Sequence, residues 1–142
     1  MTRAGAERER GSAVVEMAVL GSAVFAVLVQ LVVVFGTVQR AALATSAAAR
    51  EAARVVVVSD SGPEAGTRAR LAVATAERNH GMEPGSLRIS VAGTPARART
   101  VRVTVRTSVP ILRIPFLGRV GPAVLPVEAT QVMRVDPYRS IG

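Results

Sequence analysis

The sequence predicts an α+β protein: a long N-terminal transmembrane helix continuing into an extracytoplasmic domain that holds a short second helix and a small antiparallel β-sheet. Three observations lead there. The run from Ser12 to Phe35 holds a single ionisable residue, Glu16. The Ala-rich stretch that follows keeps a helical spacing as far as Val58, and the C-terminal half then turns to alternation of apolar and polar residues. A chain of 142 residues with 49% hydrophobic content has room for one small domain and a membrane segment, and no more.

Residues 1–11 form a short polar leader in which Arg3, Arg8 and Arg10 stand against Glu7 and Glu9. Basic residues next to a first span favour a cytoplasmic N-terminus. Arg40, Arg50 and Arg54 follow the span, so orientation rests on the leader together with the processing signal described below. Residues 12–36 are the transmembrane helix, long enough to cross a hydrocarbon core of about 30 Å. A cleavable secretory signal has an apolar region of only about 7 to 15 residues, which this run exceeds.

Glu16 is the chemically informative residue of that span. A carboxylate in the bilayer interior costs on the order of 2.5 to 3.5 kcal/mol on insertion scales, so it is expected to have a function or a partner. The plainer alternative is that Glu16, about one turn inside the boundary, snorkels to the headgroups. Further along, Ala18, Ser22, Ala26 and Gln30 recur at i, i+4 spacing. Small residues in such a ridge let helices approach closely in lipid, and Gln can hydrogen-bond across the contact.

Residues 37–142 make up the extracytoplasmic domain. Val38, Ala41, Ala44, Ala48, Ala52 and Val55 continue the helix as an amphipathic, Ala-faced segment, with the stop expected at Asp60-Ser61-Gly62-Pro63. From Ser12 to Val58 the helix would run roughly 70 Å. A second helix is expected from Glu64 to Asn79, with Leu71, Val73 and Ala74 as its apolar positions and Gly81 ending it. His80, the sole histidine, reads as a cap or turn residue rather than a ligand.

Leu87, Ile89 and Val91 alternate with Arg88 and Ser90, and Val101, Val103 and Val105 with Arg102, Thr104 and Arg106, the pattern of half-buried antiparallel strands. Gly93-Thr94-Pro95 begins their connection. A third strand is expected at about Val127 to Val135, after a Pro-rich loop containing Pro110, Pro115, Pro122 and Pro126. The apolar residues of that loop, Ile111, Leu112, Ile114, Phe116 and Leu117, either meet a partner or the membrane surface or fold back on the sheet. The Ala face of the long helix is expected to pack on the apolar face of the sheet.

The stretch Arg10-Gly11-Ser12-Ala13-Val14-Val15-Glu16-Met17 resembles the type IV prepilin processing site: a basic leader, a Gly, then a Glu at the fifth position of the mature chain. With the tail Glu128-Ala129-Thr130-Gln131-Val132-Met133-Arg134-Val135-Asp136-Pro137-Tyr138-Arg139, the chain looks most like the TadE-like minor pseudopilins of Flp, or tight-adherence, pilus systems. The resemblance implies a pilin-like domain and a single-pass protein of the bacterial cytoplasmic membrane. It also implies cleavage by a prepilin peptidase between Gly11 and Ser12, and a role in pilus assembly or stabilisation beside other pilins, pseudopilins and the assembly platform. Cleavage would place a new α-amine on Ser12, four residues from Glu16 on one helical face, where the two charges can pair within a chain or between neighbours. A rival reading keeps the chain as an uncleaved, signal-anchored extracytoplasmic interaction domain.

Composition argues against other classes. All 18 basic residues are Arg, and the net charge of +8 is scattered along the chain. With aromatics at 3%, the stacking platform of a nucleic-acid-binding module, as in competence-type DNA-binding pseudopilins, is missing. No enzymatic chemistry is expected of one His, two Asp (Asp60 and Asp136) and no Cys, and no cofactor or metal is called for.

Overall fold

The computed structural model describes residues 3–93, 99–111, 113–114, 118–119 and 123–136, with the backbone alone for 3–12, 113–114 and 118–119. Helix α1 runs from Arg3 to Val58 and so begins within residues 1–11, which the sequence reading sets apart as a leader. Ser59 ends it: its Oγ donates to the Val55 carbonyl at 2.7 Å and its N–H to the Val56 carbonyl at 3.3 Å. Both bonds satisfy last-turn carbonyls that the helix itself leaves open.

Helix α2 (Gly62–Asn79) starts two residues before the expected Glu64. Its N-cap Ser61 accepts the Glu64 N–H at 3.4 Å, and the Glu64 carboxylate reaches back to the Asp60 N–H at 3.2 Å, a close variant of the capping box. At the other end His80 is the C-cap, as a cap or turn residue should be. Gly81 follows at φ +60, which lets its N–H reach the Arg78 carbonyl and the Met82 N–H reach that of Glu77. That pair of bonds is the Schellman motif, and it needs a residue that tolerates positive φ.

Among the described residues the strands that follow are β1 (Arg88–Ala92), β2 (Thr100–Pro110), β3 (Arg113–Ile114), β4 (Gly118–Arg119) and β5 (Val124–Arg134). One antiparallel sheet has the order β1-β2-β5, with β2 central, and β3 pairs with β4 in a separate ribbon. This is the expected α+β, pilin-like plan: a long apolar N-terminal helix, a short second helix and a small three-stranded antiparallel sheet.

Two expectations need correction. The third sheet strand begins at Val124 rather than Val127, so Pro126 belongs to it, paired with Ser108, while Pro110 closes β2 opposite Val124. An edge strand accepts a proline because an N–H facing away from the neighbour makes no ladder bond. Of the expected apolar positions of α2, Val73 is buried and Ala74 half-buried but Leu71 is 63% exposed, and Ala65, Ala69 and Ala76 join Val73 in the buried face. Those four share one helical stripe, which Leu71 does not join. Residues 94–95 of the β1–β2 connection, Leu112, Phe116 and Leu117 of the Pro-rich stretch, and tail residues 137–139 lie outside the described residues.

By its internal contacts the chain divides into two units, Met1–Phe35 and Gly36–Gly142. In the second, Ala44, Ala48, Ala49, Ala52, Ala53 and Val56 of α1 join the buried α2 stripe, Leu87, Val101, Val103, Val105 and Val135 in one core. Alanine on the helix allows close approach to a sheet whose central strand turns Val101, Val103 and Val105 into the core, and the packing of the Ala face follows the sequence reading. Thr45 is buried in this face and satisfied by donating its Oγ1–H to the Ala41 carbonyl.

Candidate functional site

The first unit carries the apolar segment. Within α1 the helix is long and apolar enough to cross a membrane, and the rest of the chain leaves its most apolar stretch unburied. Val14, Met17, Phe25 and Val32 are all at least two-thirds exposed, as are few large apolar side chains of a water-soluble protein. A surface this apolar requires lipid or other chains around it, which is compatible with a single-pass membrane protein.

The sequence-predicted residues fall along this one helix. Gly11 and Ser12 lie on the α1 backbone, their side chains outside the described set. Glu16, Ala18, Ser22 and Ala26 are exposed and Gln30 is half-buried. At four-residue intervals Ala18, Ser22, Ala26 and Gln30 share one face of α1, and Glu16 is four residues from Ser12 on the same turn-to-turn line. The helix thus offers a small-residue ridge, with the Glu16 carboxylate two residues before it in the chain and about 200° around the helix from Ala18.

A second feature was not foreseen from sequence. The solvent face of the three-stranded sheet carries Arg88, Arg102, Arg106 and Arg134. Arg106 is paired with Glu128 through two bonds, 2.7 and 3.3 Å, and Thr104 meets Thr130 at 3.0 Å in the next row. Arg88 sits directly across from Arg106 in the register. Like charges facing each other across a ladder are mildly destabilising, so this row is electrostatically open to an anion.

The loop that leads into β1 is fixed from beneath by Glu77. This α2 residue is 4% exposed, and its carboxylate accepts the Gly85 N–H at 3.0 Å and the Leu87 N–H at 2.8 Å. A carboxylate buried without an arginine partner is tolerable where backbone donors supply the compensation. Among the described residues no group of three or more His, Cys, Asp or Glu side chains converges as a metal site would need.

No family model, curated protein or solved structure matches this chain.

Proposed function

We propose that the protein is a membrane-anchored minor pseudopilin that acts in assembling or stabilising a Flp, or tight-adherence, pilus. The observation that carries this reading is Glu16 in an uncovered apolar helix, five residues after Gly11, with the same helix continuing into the Ala face of a small α+β core. A plain membrane anchor needs only an apolar run. It has no use for a carboxylate at that depth, and a helix–helix assembly does.

In this reading residues 1–11 are a cytoplasmic leader, a prepilin peptidase cuts between Gly11 and Ser12, and the domain beyond Thr37 lies outside the cytoplasmic membrane. The partners are other pilins or pseudopilins and the assembly platform. No catalytic step is assigned to the chain.

Mass spectrometry of the mature N-terminus tests the reading. The expected chain begins at Ser12, and Gly11→Leu should abolish the cut, since the peptidase implied by the resemblance accepts only a small residue there. A mature mass that retains residues 1–11, unchanged by Gly11→Leu, would return the protein to the uncleaved, signal-anchored class.

A further inference from the structure

The outer edge of β5 is defined by the ladder on its other side. Val135 donates its N–H to the Arg99 carbonyl at 2.9 Å and Ile111 donates to the Ala123 carbonyl at 3.1 Å, one pair beyond each end of the β2–β5 register. That register runs unbroken, so the odd-numbered residues of β5 bond to β2 and the even-numbered ones turn their N–H and C=O groups away. Pro126 is an even-numbered position, where its missing N–H costs the ladder nothing. Glu128, Thr130, Val132 and Arg134 follow it, all exposed, and among the described residues no strand pairs with them.

Natural sheets guard such an edge with short strands, bulges, Lys or Pro. β5 has 11 residues, no bulge against β2, and neither Lys nor Pro after Pro126. Its inward row is also incompletely covered: Val127, Ala129, Gln131 and Met133 are half-buried, whereas Val101, Val103 and Val105 of β2 are sealed. A strand added along β5 would take up the outward backbone groups and close over that row.

We propose that the occupant of this edge is β5 of a second copy of the chain, antiparallel about a two-fold axis at Gln131. In that register Glu128 stands opposite Arg134 of the second copy, and Arg134 opposite its Glu128, so one contact brings together two pairs of opposite charge. Thr130 meets Val132 between them, and about eight ladder hydrogen bonds form. The neighbouring registers fail. Sliding one strand by two residues sets Pro126, with no N–H, against Arg134 in one direction, and Glu128 against Asp136 in the other. Glu128 keeps its bonds to Arg106, since a carboxylate has acceptor sites for both guanidinium groups. At the axis the two Gln131 amides face each other, each able to donate and to accept. The contact lies within the second unit and needs neither cleavage at Gly11 nor helix contacts in a membrane.

Cysteine cross-linking of the full chain in neutral detergent reads this register, since the protein has no cysteine of its own. Opposite residues of a non-hydrogen-bonded antiparallel pair stand about 4.5 Å apart at Cα, a span that a disulfide bridges. Gln131→Cys should therefore form a disulfide-linked dimer under mild oxidation. Met133→Cys should not, because its counterpart lies four residues, about 13 Å, along the facing strand. Added to Gln131→Cys, Val132→Pro should lower cross-linking about tenfold by removing an outward donor from each copy, and Arg134→Glu about fivefold by setting like charges opposite each other. Arg134→Glu changes an exposed side chain and should leave the unfolding midpoint within about 4 °C of the parent's, so its loss of cross-linking is not loss of fold. Co-expression of that chain with a Glu128→Arg chain, both carrying Gln131→Cys, restores opposite charges at both positions and should restore the cross-link. A dimer from Met133→Cys as strong as that from Gln131→Cys, or a Gln131→Cys dimer that survives both Val132→Pro and Arg134→Glu, overturns the register. No dimer from Gln131→Cys overturns the second copy as occupant of the edge.

Discussion

Glu77 shows how one side chain can decide the geometry of a distant segment. It sits two residues before the end of α2, and its two oxygens hold the N–H groups of Gly85 and Leu87, so the loop cannot slide without exposing buried donors. Glu77→Ala should destabilise the fold by about 2 to 4 kcal/mol, the range for two stranded donors with partial relaxation toward water. Glu77→Gln keeps one acceptor and should lose roughly half as much. Urea unfolding of the full chain in detergent, followed by far-UV circular dichroism, measures both, and an Ala variant as stable as the parent would refute the clamp. Surface charge behaves differently. Glu51 is bound by Arg54 at 2.6 and 3.0 Å, and that hydrogen bond holds its carboxyl below the usual carboxylate range. A depressed carboxylate contributes stability above its unfolded pKa, about 4.3, and loses it as pH falls through the lower folded value. The stability difference between the parent and Arg54→Ala should therefore be present at neutral pH, vanish below that window, and shrink in high salt because both groups are exposed.

At the scale of elements, the legible parts are those set by local chemistry. The apolar run of α1 and its stop before Asp60, the His80–Gly81 end of α2, and the alternation in β1 and β2 all arise from period and capping, which neighbouring residues determine. What escaped depends on contacts far apart in the chain. Leu71 is exposed because α2 turns the stripe of Ala65, Ala69, Val73 and Ala76 to the core, and β5 takes in Pro126 because its place at the edge is a property of the sheet. These readings can be checked by substitution. Leu71→Ala should change stability by less than about 0.5 kcal/mol, as at an exposed site, whereas Ala52→Leu should cost about 1 to 3 kcal/mol by overfilling the core. Gly93 gives a backbone test. Its φ is +101, and a Cβ there would meet the Thr100 carbonyl oxygen at 2.5 Å, so Gly93→Ala should destabilise by more than about 1 kcal/mol. Thermal unfolding of the three variants under one condition orders them, and a stable Gly93→Ala chain would contradict the turn.

For the whole molecule, the candidate residues of α1 were legible because they lie in one continuous run, while the Glu77 clamp on the Gly85 and Leu87 N–H groups was not, since its parts come from separate segments that meet only after folding. The contrast matters for Glu16, which sequence alone marks as odd and which leaves two physical roles open. If Glu16 only snorkels, Glu16→Gln or Glu16→Val removes a charge from lipid, so membrane insertion should stay intact or improve and partner contacts should not change. If it pairs with the Ser12 α-amine of its own or a neighbouring chain, the same substitutions strand that amine in the membrane, and assembly should fail while insertion survives. Glu16→Asp separates the cases further: the side chain is shorter by one methylene, the charge pair must stretch, and rescue should be partial. The proposed function commits to the second role, because a carboxylate in lipid calls for a partner of opposite charge and the α-amine that cleavage would give Ser12 stands one turn away on the same line of the helix. Insertion is read by carbonate extraction, and assembly by co-purification of partner pilins and by counts of surface pili for Glu, Asp, Gln and Val at this position. The expected order of piliation is Glu, then Asp, then Gln and Val near zero, with insertion equal in all four; normal piliation with Val would leave Glu16 a snorkelling residue and remove charge pairing from the assembly mechanism.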